Sequence, residues 1–178
     1  KQAVYCGLLF CYNNLMNLMY VLANIFVFLF GLCMGSFLNC IIYRLESKKS
    51  LAGRSFCPHC KHTLSWLDLF PVFSFLFLRG KCRYCRKKIS IQYLLVELAT
   101  ALIFLLIFNF QFSIFNELSI RQIFNLIFWL YAASVLVVIF VYDLKHYLIP
   151  DKILFPAIFI TFSYRILEAL HVFYSSEK

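Results

Sequence analysis

Four long apolar stretches constrain the fold of this chain more than any other feature of its sequence. They cover roughly residues 15–42, 91–112, 123–142 and 153–173, and each has about the 20 residues that a helix needs to cross a bilayer. Pro156, Arg165 and Glu168 interrupt the fourth stretch. With 63% hydrophobic and 14% charged residues, the chain lacks the polar surface of a water-soluble domain. We therefore predict an all-α, polytopic membrane protein with about four transmembrane helices.

The positive charges are concentrated between the first two stretches. Residues 43–90 contain eleven Lys or Arg residues and only two acidic ones. Cytoplasmic loops of membrane proteins carry an excess of Lys and Arg, so we predict that this loop and the loop containing Asp143 face the cytoplasm. Positive-inside topology and contact with anionic lipid headgroups account for the net charge of +9. The lipid bilayer is therefore the predicted partner of this charge, and no nucleic-acid partner is predicted.

Two Cys-x-x-Cys pairs lie in the basic loop, Cys57 with Cys60 and Cys82 with Cys85. Two cysteines at this spacing can turn both sulfurs toward one ion, and a second pair completes the tetrahedral ligand set of zinc. The alternatives are two structural disulfides or four buried cysteines with no common role. Because thiols stay reduced in the cytoplasm, we predict a zinc site rather than disulfides.

The sequence therefore divides into three parts. An N-terminal segment with the first transmembrane helix, a basic zinc-bound cytoplasmic subdomain, and the remaining transmembrane helices are predicted for residues 1–42, 43–90 and 91–178. Within the subdomain, residues 66–78 are apolar but too short to span a membrane. We predict that they form an interfacial or re-entrant piece beside the metal site. No internal repeat is visible.

The chain begins at Lys1 rather than at a methionine. Its first residues are apolar but lack the charged start and the small-residue cleavage site of a secretory signal. A start at Met16 or Met19 would still leave one complete span before the basic loop. We expect the first residues to be an over-extended or recombinant segment, or the chain to be a fragment.

Five short motifs occur in unbroken order between about residues 29 and 156. They are Gly35-Ser36-Phe37-Leu38-Asn39 with Ile42-Tyr43-Arg44-Leu45, Cys57-Pro58-His59-Cys60, Leu78-Arg79-Gly80-Lys81-Cys82 up to Cys85, Leu95-Val96-Glu97-Leu98, and Asp143-Leu144-Lys145 with Leu148-Ile149-Pro150-Asp151. Together they closely resemble the bacterial type IV prepilin peptidases. This resemblance implies a multi-pass aspartic protease of the bacterial inner membrane. Such an enzyme removes the basic leader of type IV prepilins and pilin-like secretion proteins, and often methylates the new amino terminus from S-adenosylmethionine.

By this resemblance Asp143 is one member of the catalytic pair. Two close carboxylates share one proton, so one can activate water while the other protonates the scissile peptide. Asp143 follows a long apolar stretch, where on physical grounds alone it could equally mark the water boundary of the third span. In the family the second aspartate lies in a Gly-x-Gly-Asp motif of a later helix, and this sequence has no such motif. We therefore expect the chain to be truncated before it.

Other residues fit the family but have ordinary alternatives. Glu97 lies inside the second span, which suggests a functional site or a pairing with Arg44 or another basic residue at the interface. Gly80 and Lys81 resemble the stretch linked to methyl transfer, whereas the alternative is a turn glycine and a lysine that reaches lipid phosphates. Asp151 is predicted to cap a helix start or to shape the active-site loop.

The histidines of the two loops have open roles. His59 or His62 could replace a cysteine as metal ligand, although four thiols already complete the site. His146 could tune the protonation of Asp143 near neutrality, or could be an exposed loop residue.

Three functional classes remain from the sequence. The first is a leader peptidase that acts on type IV prepilins, with Asp143 as half of its catalytic pair. The second is a truncated, non-catalytic relative that serves as a substrate-binding or assembly module. The third is a membrane thiol-disulfide oxidoreductase that uses the Cys-x-x-Cys pairs, which the predicted cytoplasmic location disfavours.

Overall fold

The computed structural model describes the backbone of residues 2–47, 50, 53–114 and 120–176, and the side chains of residues 14–47, 50, 53–112 and 120–170. Its elements in chain order are α1 (Gln2–Glu46), the 3₁₀ turn η1 (Trp66–Leu69), α2 (Phe73–Phe77), α3 (Ile91–Ile114), α4 (Ile120–His146) and α5 (Asp151–Ser176). Within these residues two isolated bridges are the only β-type pairings. The all-α prediction is therefore confirmed.

Four helices are long and apolar enough to cross a membrane, as predicted. Within the described side chains they cover Asn14–Glu46, Ile91–Phe112, Ile120–His146 and Asp151–Leu170. The third helix is longer than the predicted apolar stretch and carries Asp143 in its last turn. The fourth continues through Pro156 without interruption. Backbone groups have no water to bond in a bilayer, which favours continuous helices over the whole apolar length.

Helix α3 runs antiparallel to α1, whereas α4 runs parallel to α1, as the contacts between their ends show. Toward one end the Tyr20 hydroxyl of α1 donates a hydrogen bond to Asn109 Oδ1 of α3. At the other end Lys145 Nζ of α4 lies 2.8 Å from Glu46 Oε1, the last residue of α1. The cysteine-containing loop and Asp143 therefore lie at the same end of the bundle.

Helices α1 and α3 approach each other closely at two glycines. A Cβ atom on Gly31 would lie 2.6 Å from Ala101 Cα, and one on Gly35 would lie 2.6 Å from Glu97 Cα. Residues four apart share one helix face, and this small-xxx-small spacing lets two backbones pack closely in a membrane. Next to this contact, toward the C-terminal end of α1, lies the core that α1, α3 and α4 share. It consists of Leu38, Ile42, Val96, Val137, Val138 and Val141.

Helix α5 packs against α4. The rings of Phe128 and Tyr164 stack with centroids 4.0 Å apart, and the Tyr164 hydroxyl donates to Asn125 Oδ1. Elsewhere α5 exposes large apolar side chains, among them Phe155, Phe159 and Phe162. A helix that is apolar on its exposed faces is suited to lipid rather than to water.

Candidate metal centre and adjoining cavity

The four cysteines predicted as metal ligands come together in the structure. The Sγ atoms of Cys57, Cys60, Cys82 and Cys85 all lie within 4.8 Å of one another, and those of Cys57 and Cys85 are 3.9 Å apart. Four Zn–S bonds of about 2.3 Å at tetrahedral angles place the sulfurs roughly 3.8 Å apart, whereas a disulfide requires about 2 Å. All four are free thiols, so the cluster fits one tetrahedral metal ion.

Two hairpins of the same geometry supply these ligands. In the first, the Cys57 N–H donates to His62 O over 3.0 Å and the Lys61 N–H donates to Cys57 O over 2.9 Å. The second hairpin repeats these bonds 25 residues later, between Cys82 N and Lys87 O and between Arg86 N and Cys82 O. Lys61 and Arg86 both adopt positive φ, +58° and +56°. The structure thus contains a short internal repeat, of which the sequence shows only the two Cys-x-x-Cys pairs, so the prediction of no internal repeat is wrong.

The hairpins bury one cysteine of each pair more deeply than the other. Burial raises the pKa of Cys57, but hydrogen bonds from the backbone N–H groups of Cys60 and His59 outweigh it and lower the pKa to about 7. For Cys60, the backbone N–H of His62 favours the thiolate, but desolvation and the neighbouring thiols raise the pKa to about 11. Full ionisation of such a cluster requires the positive charge of a metal ion.

The neighbouring histidines lie outside the ligand set. The Nδ1 atom of His62 lies 2.8 Å from Thr63 O, and its ring stacks on Tyr84 with centroids 3.7 Å apart. His59 is exposed. Among the described residues the metal-sized group consists of cysteines alone.

The apolar piece between the hairpins folds as η1 and α2 and exposes its large side chains. Trp66 is 71% exposed and Phe77 is 84% exposed, and Leu67, Phe70, Phe73 and Leu76 are exposed as well. In a protein with transmembrane helices, an exposed aromatic face of this kind is typical of a segment that lies at the membrane–water interface. The piece lies beside the cysteine cluster, as predicted from the sequence.

Asp68 fixes this piece to the second hairpin. Its Oδ2 atom accepts hydrogen bonds from the Ser65 N–H (3.1 Å), the Ser65 hydroxyl (2.8 Å) and the Tyr84 hydroxyl (3.2 Å). Its Oδ1 atom lies 2.7 Å from Arg83 Nε. Burial raises the pKa of Asp68, but the Ser65 hydrogen bonds, the Arg83 charge and Tyr84 hold it below its usual range. No role for Asp68 was predicted from the sequence, because Arg83 and Tyr84 become its neighbours only in the folded structure.

A cavity of about 570 Å³ adjoins the cysteine cluster. Its walls come from the end of α1, the two hairpins, α2, the start of α3 and Lys145 of α4. Cys57 and Cys82 form part of the wall, and Glu97 lies at the side formed by α3. A cavity of this volume is within the usual size of small-ligand sites.

Glu97 is buried, with 8% of its surface exposed. Its Oε2 atom accepts a hydrogen bond from the Val72 N–H over 2.7 Å, and the Ser36 side chain hydrogen-bonds to the same carboxylate. The suggested pairing with Arg44 is wrong, because Arg44 donates to backbone carbonyls, including those of Gly53 and Arg54. Val72 has φ of +59°, which turns its N–H toward α3.

Asp143 lies exposed in the last turn of α4. The Tyr147 N–H donates to Asp143 O over 2.8 Å, and Tyr147 has φ of +52°, so the helix ends in a left-handed residue. The Asp143 carboxylate makes no hydrogen bond or ion pair with the described residues, and it is not part of the cavity wall. The Asp143 carboxylate is therefore accessible to a binding partner.

His146 contacts two other residues near Asp143. Its ring lies against Tyr142 with centroids 4.5 Å apart, and its Nε2 atom lies 3.8 Å from Glu46 Oε1. Glu46 also accepts from Lys145. The structure therefore places His146 with Glu46, and its predicted influence on Asp143 remains a prediction.

Gly80 occupies a turn that its lack of a side chain explains. It has φ of +66°, its N–H donates to Phe75 O over 2.8 Å, and its carbonyl accepts from the Ile89 N–H over 2.7 Å. A Cβ here would lie 3.0 Å from the Phe75 ring. This geometry accounts for the glycine as part of the second hairpin, independently of any role in methyl transfer.

Asp151 is the first residue of α5. Pro150 O accepts the N–H groups of Ile153 (3.0 Å) and Leu154 (3.1 Å), which are the first hydrogen bonds of the helix. In the part of the chain with described side chains, the Asp151 carboxylate forms no hydrogen bond to this first turn. Its support of the helix start is limited to its charge near the positive end of the dipole.

Known proteins match both the cysteine subdomain and the helices around it. Residues 29–111 match the family model of the Bacterial Peptidase A24 N-terminal domain. The prepilin leader peptidase/N-methyltransferase of Myxococcus xanthus is 38% identical over 133 residues, which cover 74% of this chain and 37% of that protein. The enzyme of the same name from Vibrio cholerae is 34% identical over 143 residues, covering 75% of this chain and 53% of that protein.

A third relative carries a related name. The type 4 prepilin-like proteins leader peptide-processing enzyme of Escherichia coli is 40% identical over 141 residues, covering 68% of this chain and 49% of that protein. No solved structure matches the chain significantly. The chain spans about half, or less, of the length of these curated relatives. The resemblance read from its motifs is confirmed, and the chain belongs to the prepilin leader peptidase/N-methyltransferase family.

Proposed function

We propose that this chain forms part of an aspartic endopeptidase of the bacterial inner membrane that removes the leader of type IV prepilins and pilin-like proteins. The observation that carries the proposal is the position of Asp143. Its carboxylate is exposed at the end of an apolar helix, at the same end of the bundle as the cysteine hairpins. It stands in the Asp143-Leu144-Lys145 motif, within a chain whose relatives are named prepilin leader peptidases.

In this proposal Asp143 acts with a second aspartate. One carboxylate deprotonates the attacking water while the other, which holds the shared proton, protonates the leaving amine. The resemblance puts the second aspartate in a Gly-x-Gly-Asp motif, which this sequence does not contain. The open carboxylate of Asp143, without a partner among the described residues, supports its pairing with a group from further helices.

We also propose that the four cysteines hold a structural zinc ion. Thiolate ligands and tetrahedral spacing are what zinc prefers, and a bound zinc would supply folding free energy to the loop. Zinc would stabilise the cavity wall, since Cys57 and Cys82 belong to it. The loop with Gly80 and Lys81 is proposed to contribute to methylation of the new amino terminus from S-adenosylmethionine, on the resemblance alone.

The test compares this chain alone with the chain supplemented by the remaining helices of a relative, including the Gly-x-Gly-Asp motif. The purified chain should bind a prepilin leader peptide but leave it uncut, because one carboxylate cannot provide both base and acid. The supplemented protein should cut it. Asp143→Asn should then abolish cleavage with little change in folding, because the amide is nearly isosteric.

Asp151→Asn is the matched control, because it removes a carboxylate from the same loop and should leave cleavage intact. Normal cleavage by the isolated chain, or by the supplemented Asp143→Asn variant, would show that Asp143 is not half of the catalytic pair. Binding without any cleavage in the supplemented protein would instead support the non-catalytic binding or assembly module.

A further inference from the structure

A second groove lies on the exposed face of the apolar piece between the two hairpins. It has a volume of about 370 Å³ and is lined mainly by Trp66, Leu67, Phe70, Phe73 and Phe77, together with Arg83. The five apolar side chains are all exposed, and the rings of Phe70 and Phe73 meet edge to face with centroids 5.7 Å apart. Exposed apolar patches of this kind mark interaction sites. Among the described residues of the wall, Arg83 is the only charged one.

The groove lies beside a membrane-spanning helix, at the depth of its first turns. Val72, between Phe70 and Phe73, donates its N–H to Glu97 Oε2 over 2.7 Å. Glu97 is six residues beyond Ile91, the first residue of the second candidate span, which is about 9 Å along a helix axis. Because a helical side chain leans toward the N-terminus, Val72 lies level with the first two turns of α3. Interfacial segments are buried about 5–10 Å into the boundary between headgroups and acyl chains, so the groove faces lipid at this depth.

Arg83 presents a fixed cation to this groove. Its Nε atom lies 2.7 Å from Asp68 Oδ1, and a guanidinium has four further N–H donors. The Asp68 side chain is 5% exposed and that of Arg83 is 46% exposed, so the carboxylate holds the guanidinium from the inside. Asp68 lines the larger cavity and not the groove. The guanidinium therefore has accessible donors for the oxygens of a phosphate, which arginine binds through paired hydrogen bonds.

We propose that this groove binds one anionic phospholipid, with an acyl chain against its aromatic side chains and the phosphate on Arg83. The charge of the wall selects an anion, because its described residues include a cation and no carboxylate. The surrounding loop has the same preference, since residues 43–90 contain eleven Lys or Arg residues and two acidic ones, and such segments are attracted to anionic membrane surfaces. The site requires neither Asp143 nor cleavage.

The two tryptophans of the chain allow a direct test. Trp66 lies in the groove and Trp129 lies in α4, so Trp66 is the only tryptophan of a Trp129→Phe variant. Bromine atoms on a lipid chain quench tryptophan fluorescence on contact. The full chain is placed in nanodiscs that contain brominated phosphatidylglycerol or brominated phosphatidylcholine at the same mole fraction. Both should quench Trp66, and the apparent affinity for the anionic lipid should be about fivefold higher, as one cation near an anionic headgroup provides.

Arg83→Gln should remove this preference. Arg86→Gln is the matched control, because Arg86 is an exposed residue of the same hairpin that does not line the groove, and it should retain the preference. Equal quenching by the two lipids, or a preference that survives in Arg83→Gln, would overturn the proposal. Absence of quenching by either lipid would also overturn it, because the groove would then be covered by protein.

If Arg83→Gln fails to fold, photo-cross-linking of the wild type decides the matter. The same two lipids, each with a diazirine in an acyl chain, should label exposed residues of α5 such as Phe155 and Phe159 equally. Phosphatidylglycerol should label residues 66–77 about fivefold more than phosphatidylcholine does. Mass spectrometry of the labelled peptides measures both ratios, and equal labelling of residues 66–77 by the two lipids would contradict the proposal.

Discussion

At the residue level, the four cysteines of the proposed metal site differ in how deeply they are buried. Cys57 and Cys82 are nearly buried, with 4% and 5% exposure, whereas Cys60 is exposed. A buried ligand that loses its metal leaves an unpaired thiol inside the subdomain. The two buried cysteines are thus the positions where substitution has the largest structural effect.

Cys57→Ser and Cys82→Ser should therefore lose the metal and unfold the cysteine hairpins. Structural zinc sites supply on the order of 10 kcal/mol of folding free energy at neutral pH. Metal analysis of the purified wild type should give about one zinc per chain, and both variants should show less metal and greater protease sensitivity. Cys33→Ser, at an exposed position of α1, is the control. A wild type without metal and with disulfides intact would instead revive the oxidoreductase reading.

Asp68 should make the stability of the hairpins depend on pH. Its pKa is lowered in the folded protein, so its contribution is present above the unfolded value of about 4 and is lost as the pH falls through the lower folded value. Asp68→Asn should be less stable than the wild type at neutral pH, and this difference should shrink in acid. Thermal unfolding of both proteins across pH measures it, with the metal content matched. A difference independent of pH would show that the Asp68 charge contributes nothing.

At the level of elements, the closest packing is that of α1 on α3. Gly35→Ala should separate the two helices, because the added methyl would meet Glu97 Cα at 2.6 Å, and overpacking costs about 1–3 kcal/mol. Val21→Ile adds one methyl to an exposed position of the same helix and should change little. Thermal unfolding in one detergent compares them. Equal stability of the two variants would mean that α1 and α3 do not meet at Gly35.

The contact between α1 and α4 at Glu46 and Lys145 is an ion pair of half-exposed groups. Such pairs contribute about 0.2–1 kcal/mol, so Glu46→Lys should destabilise the protein slightly. Reversing both charges, Glu46→Lys with Lys145→Glu, should recover most of the loss. A double-mutant cycle in denaturant measures the coupling, and a coupling energy near zero would show that the contact does not stabilise the bundle.

At the level of the whole molecule, the arrangement of helices makes the cysteine hairpins and Asp143 share one membrane face. A reporter fused after Lys87 should therefore report the cytoplasm, and one fused near Glu117 should report the opposite side, because the basic loop is retained inside. Reporter activity in intact cells measures this. The reverse pattern would place Asp143 on the wrong side for a leader presented from the cytoplasm.

The helices were predictable because a bilayer allows few alternatives for a long apolar stretch. The clustering of the four cysteines was predictable because metal geometry fixes their spacing. The hydrogen-bond donor to Glu97 was not predictable, since it is the backbone N–H of Val72. A backbone donor leaves no signature in the sequence. Beyond the two Cys-x-x-Cys pairs, the 25-residue repeat was hidden for the same reason, because its bonds are between backbone groups and Lys61 and Arg86 reach positive φ without glycine.

The contact at Gly31 and Gly35 differs from these, because the spacing of the two glycines is visible in the sequence. A Gly-x-x-x-Gly in an apolar helix indicates a close helix partner. It does not name that partner, because any helix with a small or flat face fits. Only the tertiary structure identifies α3, and with it the position of Glu97 behind Gly35.

If one metal ion joins the two hairpins, it would cross-link the chain on either side of the segment between them. Residues 61–81 would form a ring closed at Cys60 and Cys82, which restricts the conformations of the chain between them for as long as the metal is bound. That ring contains Val72, whose N–H bonds to Glu97. Ion loss would therefore loosen a segment well away from the thiols and free the buried acid from one of its two neutral donors.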